Sequence, residues 1–234
     1  MPTLRRLLVI NPNTSEPVTQ DLQTQLQAAM GPQVQVVSIT ARFGAPYIAD
    51  EASYAVAAHA TLDAWARHVA NGPPADAVLI GCFGDPGLHA LRECCASPVT
   101  GLAEAALAQA ATLGDCAIVT GGDRWGPMLG RICSGLPQGD RVKGIVTVPL
   151  TGGEMRDDPA AAETALVAAC RQAASQYPGV KSIIVGGAAL GGWAARLQAC
   201  VPLPLVDSVL AGARHALGAL HGEGRGAPQW LEIR

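Results

Sequence analysis

Four short segments of this chain carry residue types suited to chemistry on a small ligand. The first is Gly81-Cys82-Phe83-Gly84-Asp85, which sets a thiol between glycines. A thiolate takes up a proton or attacks a carbon, and the thiol then gives the proton back. The Pro86-Gly87 pair four residues on marks a helix start, whose dipole would lower a thiol from about 8.5 toward neutrality. On that local pattern Cys82 is the reactive cysteine; the opposing reading is a buried strand-end thiol that only packs. The other segments are Asn11-Pro12-Asn13-Thr14-Ser15, Thr120-Gly121-Gly122-Asp123 and Gly186-Gly187-Ala188-Ala189. Glycines let backbone N–H groups approach a ligand, and helix N-termini favour carboxylates and enolates. Each polar residue also has a structural reading. Asn13, Thr14 and Ser15 suit the N-cap of a helix beginning near Pro17, and Thr120 suits a turn. Asp85 and Asp123 suit helix or turn caps. The Arg42-Phe43-Gly44 stretch with Tyr47 would roof a cleft, or form an ordinary loop anchored by its aromatics.

Other chemistries lose support. The chain has neither G-x-G-x-x-G after its first strand nor a G-x-x-x-x-G-K-[ST] loop, so a nucleotide cofactor is not indicated. G-x-S-x-G and H-E-x-x-H are absent too. His59, His68, His89, His215 and His221 show no ligand spacing, and no metal is expected. The seven cysteines are odd in number and form no C-x-x-C, which argues against both a disulfide framework and a zinc knuckle.

These segments need a scaffold that brings them together. The chain has 234 residues, 49% hydrophobic and 15% charged, enough for one large domain or two small ones. A net charge of −3 without a basic run argues against nucleic acid. Gly, Pro or charge interrupts every apolar stretch before the roughly 20 residues of a membrane span. The opening MPTLRRLLVINPNT has no hydrophobic stretch of signal-peptide length, so a cytoplasmic location is expected.

Apolar, non-alternating strands are expected over 7–10, 34–39, 77–80, 99–100, 116–119, 142–148, 183–185 and 205–206. Helices are expected over 18–30, 52–69, 87–94, 102–112, 127–133, 159–176, 193–198 and 209–220. This alternation predicts an α/β fold with parallel sheets covered on both faces. The stretch from Asp76 and the stretch from Lys181 both read strand, Gly-rich elbow, helix, Pro-flanked short strand, helix. Two related halves follow, with Cys82 and Gly187 at equivalent places. The first lobe is expected over 1–101 plus 208–234 and the second over 102–207. In such sheets ligands bind beyond the carboxyl ends of the strands, where all four elbows lie.

The segments LLVINPNTS, ARFGAPYI, GCFGDPGL, IVTGGDRWGPML and PLVDSVLAGA, in this order along the chain, resemble the aspartate/glutamate/hydantoin racemase superfamily. The nearest likeness is to the hydantoin racemase group, which includes allantoin racemase. The resemblance implies two pseudo-symmetric α/β lobes with the active site in the cleft between them, no cofactor and a homo-oligomer. It implies two cysteines on opposite sides of a carbon next to a carbonyl. Cys82 carries over as one of them. Asn13, Thr120 with Gly121, the backbone around Phe83 and Gly84, and Gly187 with Ala188 carry over as the substrate-holding group. The second-lobe motif of that family usually reads Gly-Cys-Ala-Gly-Met, whereas this chain has Gly186-Gly187-Ala188-Ala189-Leu190. Gly187 thus stands at the place of the second cysteine, and Cys200 lies beyond the following helix. The expected function is proton transfer at the carbon next to a carbonyl of a small hydantoin, amide or amino-acid derivative, through Cys82. The alternatives are a one-cysteine decarboxylase or cis-trans isomerase on the same scaffold, and a non-catalytic protein that binds a small anion.

Overall fold

A computed structural model describes residues 4–219. Leu220, which ends the helix expected over 209–220, together with His221 and the rest of the lobe segment up to 234, lies outside the described residues. Strand β1 (Arg5–Asn11) shows why the sheets form. Leu7, Leu8, Val9 and Ile10 are all buried although successive strand side chains point to opposite faces, so both faces are covered. The same holds for β3 (Ala77–Ile80), β5 (Cys116–Gly121) and β7 (Ser182–Gly186), whose apolar residues are buried throughout.

The strands form two four-stranded sheets. One is ordered β2-β1-β3-β4, with β2 over Val34–Thr40 and β4 over Val99–Gly101. The other is ordered β6-β5-β7-β8, with β6 over Val142–Val148 and β8 over Leu205–Asp207. Every pairing is parallel, and the second order repeats the first. Two α/β halves are therefore present. In each, the chain leaves the first strand toward one side and returns on the other. The crevice at that reversal lies beyond the ends of β1 and β3, and of β5 and β7.

Helices α1 (Glu16–Met30), α2 (Glu51–Asn71), α3 (Leu88–Cys94), α5 (Trp125–Ser134), α7 (Pro159–Gln176) and α8 (Trp193–Leu197) fall close to the expected spans. Two further helices join the halves. Helix α4 (Leu102–Ala111) follows β4 yet packs on β7, and α9 (Ser208–Ala219) follows β8 yet packs on β3. They cross closely: a Cβ added at Gly212 would stand 2.8 Å from Leu102. One apolar core therefore runs from Leu7 and Leu79 through Leu102 and Val209 to Ile118 and Ile184.

Three local differences from the sequence reading have clear causes. Helix α6 (Gly152–Asp157) forms in a Gly-Gly stretch because Thr151 and Glu154 close a reciprocal capping box. Ser15 occupies the N-cap of α1 but its side chain caps nothing. Asp85 does cap a helix, but that helix is α4: its carboxylate accepts the N–H groups of Ala103 (2.9 Å) and Glu104 (2.8 Å).

Candidate active site

The carboxyl ends of β1, β3, β5 and β7 converge on a cleft of about 110 Å³ between the halves. Of the residues singled out from sequence, Asn13, Cys82, Phe83, Thr120, Gly121, Gly187 and Ala188 all line it. Gly84 does not. It stands behind the wall, its carbonyl accepting the Tyr54 hydroxyl at 2.7 Å, and an added Cβ would meet the Trp125 ring at 2.9 Å.

After β1 the chain folds on its own amides. The Asn13 side-chain oxygen accepts from Asn11 Nδ2 (2.9 Å) and from the Ser15 N–H (2.8 Å). Asn11 Nδ2 also reaches Thr19 Oγ1 at 3.0 Å. Its oxygen is committed, whereas the amide N–H₂ of this cleft-lining residue meets no acceptor among the described residues. Thr120, 5% exposed at the end of β5, likewise has a hydroxyl with no partner among the described residues. The same is true of the backbone N–H groups of Phe83 and Ala188. Gly187 differs: its N–H is taken by Ser208 Oγ at 3.2 Å.

Cys82 is buried, at 8% exposed, and alone among the cysteines it reaches the cleft. Burial pushes its thiol well above the ordinary range, and the nearby Asp85 carboxylate pushes it in the same direction. This corrects the expectation of a thiol acidified by a helix start. Helix α3 begins only at Leu88 and has two turns, and burial with the Asp85 charge acts on the sulfur in the opposite sense. Asp85 is itself pushed up to about 7, because its burial outweighs the backbone N–H groups that favour its charge. It holds a left-handed backbone (φ 53°), and its own N–H donates to the Cys82 carbonyl at 3.1 Å. A Cβ at Gly101 would overlap its carboxylate, so glycine there is a condition of the cap.

Several lining residues carry no motif of their own. Trp125 walls the cleft from the start of α5 and donates from Nε1 to the Ile48 carbonyl at 3.0 Å. Thr151, Gly152 and Met155 come from α6 and its cap, and Tyr47, Ile48 and Ala49 from the loop after β2. Of these the sequence flagged only Tyr47, as part of a roof. An aromatic just past the Thr120–Asp123 elbow is the one further signal, and it pointed to Trp125. Among the described residues, no Asp, Glu, Lys, Arg or His lines the cleft, and no metal-ligating cluster occurs. None of the described helices is long and apolar enough to cross a membrane.

Fold and site define an α/β protein of two like halves, with an uncharged cleft that presents one thiol and several unpaired N–H and O–H donors. The sequence pattern of the Asp/Glu/Hydantoin racemase family matches residues 7–216, and the chain belongs to that family. It is 31% identical over 215 residues to a hydantoin racemase from Paenarthrobacter aurescens, across 90% of this chain and 89% of that protein. Against a hydantoin racemase from Pseudomonas sp. (strain NS671) it is 28% identical over 212 residues, across 90% and 84%. The crystal structure of allantoin racemase from Pseudomonas fluorescens matches with a TM-score of 0.86 and 28% identity, across 92% of this chain and 91% of that one.

Proposed function

We propose that this protein moves a proton at the carbon next to a carbonyl of a small hydantoin, amide or amino-acid derivative, without a cofactor, using Cys82 as acid and base. The observation that carries the reading is the placement of a single buried thiol at the end of β3, inside a cleft whose other polar groups are neutral donors. A hydantoin ring is uncharged and offers carbonyl oxygens, so it suits walls that hold no cation to pair with a carboxylate. Asn13 Nδ2, Thr120 Oγ1 and the N–H groups of Phe83 and Ala188 would hold those oxygens. Donors fixed before the reaction also stabilise the enolate charge that develops when the proton leaves.

The same burial that keeps Cys82 protonated at rest makes its thiolate a stronger base once formed. Proton removal by Cys82 therefore speeds up with pH through the neutral range. Proton return by the thiol is available throughout that range.

The test uses both pure enantiomers of a 5-substituted hydantoin in D₂O, with proton NMR for exchange and chiral chromatography for inversion. Exchange of the Cα hydrogen that is lost in Cys82→Ser for at least one enantiomer supports the proposal. No exchange from any hydantoin, amide or amino-acid derivative overturns it. One thiol in the cleft also favours a second reading, a one-cysteine decarboxylase or cis-trans isomerase in which Cys82 protonates an enediolate or adds to a double bond. Loss of CO₂ or double-bond isomerisation without exchange would select that reading.

A further inference from the structure

Moving a proton from one face of a carbon to the other needs a group on each face, and among the lining residues Cys82 is the one thiol, with Gly187 at the matching elbow of the other half. We infer that the phenol of Tyr47 is the second acid and base of this cleft, working against Cys82 from the opposite half. The inference rests on the proton-transfer reading above.

Elimination supplies the first argument. Of all the side chains lining the cleft, only the Cys82 thiol and the Tyr47 phenol are of types that serve as proton donor and acceptor in catalysis. The rest are apolar, or are amides and aliphatic hydroxyls that donate hydrogen bonds without giving up the proton.

Placement supplies the second. Tyr47 belongs to the loop after β2, in the first half, but its ring lies on the second. A Cβ added at Gly153 of α6 would stand 3.0 Å from the Tyr47 hydroxyl. One added at Gly152 would stand 3.7 Å from the ring and 2.8 Å from the Ala189 methyl. The ring therefore lies against α6, in the half that carries Gly187, with its hydroxyl nearest Gly153 and its edge toward Gly152 at the cleft wall. Cys82 belongs to the elbow of the first half. The Gly152-Gly153 pair leaves the ring its room.

The hydroxyl is uncommitted while the loop is not. No acceptor or donor among the described residues meets Tyr47 Oη. The segment around it is pinned by Thr14 N–H donating to the Ala45 carbonyl (3.1 Å) and by Trp125 Nε1 donating to the Ile48 carbonyl (3.0 Å). A phenol fixed in position with a free proton has what general acid catalysis requires.

The step balances. The Cys82 thiolate takes the Cα proton, and the C–H electron pair moves into the carbonyl to give the enolate. The enolate pair then forms a new bond to the Tyr47 proton on the other face, leaving a thiol and a phenolate. That state is set to process the opposite enantiomer, and proton exchange with water restores the first.

The experiment compares Tyr47→Phe, which keeps the ring packing, with Cys82→Ser and the unmutated protein, using both enantiomers in D₂O. In Tyr47→Phe the enantiomer whose hydrogen faces Cys82 should still exchange at a rate within about tenfold, while inversion falls about 10²-fold or more. Cys82→Ser should show the mirror pattern, with residual exchange from the other enantiomer alone. Inversion at the unmutated rate in Tyr47→Phe overturns the tyrosine and leaves the cysteine reading standing. An equal fall in exchange and inversion for both enantiomers also overturns it, because it would make Tyr47 a binding group. Absence of exchange in the unmutated protein sinks both proposals together.

Discussion

The ring of Phe83, one residue past Cys82, lies on the Cα of Gly186 in the other half. A Cβ added at Gly186 would stand 2.4 Å from a ring carbon. The two elbows are thus in contact through an aromatic face and a missing side chain. Gly186→Ala should destabilise the protein by about 1–3 kcal/mol through overpacking, as read by urea denaturation. Phe83→Ala relieves the overlap, so in the Gly186→Ala background it should cost clearly less than it does alone. Additive costs would show that the two residues are not coupled in this way.

Thiol reactivity follows burial rather than sequence position. Limiting iodoacetamide at neutral pH, mapped by mass spectrometry, should label exposed Cys200 well before Cys82. Asp85→Asn removes the carboxylate that pushes the Cys82 thiol up, so it should raise the labelling of Cys82 and shift its pH profile to lower pH. Early labelling of Cys82 in the unmutated protein would restore the helix-start reading.

Asp85 also ties stability to pH, in the sense opposite to most carboxylates. Its folded value of about 7 lies above the ordinary value of 3.8. The folded protein therefore holds this proton more tightly than the unfolded chain does. The contribution is present in full below about pH 4 and is lost as pH rises to about 7. Other carboxylates titrate alike in both proteins, so the stability of the unmutated protein relative to Asp85→Asn should fall between pH 4 and 7 and level off above. A difference that rises over this window would mean that Asp85 is held ionised.

Placing a second thiol in the cleft by Gly187→Cys should fail to speed inversion. Gly187 has φ 154° and ψ 140°, a region that is essentially closed to other residues, and its Cβ would also press on Leu190 at 3.2 Å. The variant should lose about 1–3 kcal/mol, visible as a lower Tm, with no gain in inversion. A stable Gly187→Cys protein with faster inversion would refute this.

Much of the site was legible in the sequence because a parallel sheet makes local pattern and function coincide. Apolar runs such as LLVI and AVLI fix where strands end, and glycines and polar residues just past those ends mark where a ligand meets backbone donors. That logic put Asn13, Cys82, Thr120 and Gly187 just beyond strand ends, and the family resemblance implied that they share one cleft. The repeat of strand, elbow and helix likewise implies two halves, since the same residue pattern folds by the same physics twice. What the sequence could not carry is contact between distant segments. Asp85 capping α4, Trp125 held by Ile48, Tyr47 resting on Gly152 and Gly153, and Phe83 on Gly186 each join residues 18 to 106 positions apart. No local periodicity encodes such pairs. The acidity of Cys82 belongs with them: its own segment suggested a lowered value, but desolvation depends on everything that covers the sulfur, and only the packed halves with Asp85 between them set its direction.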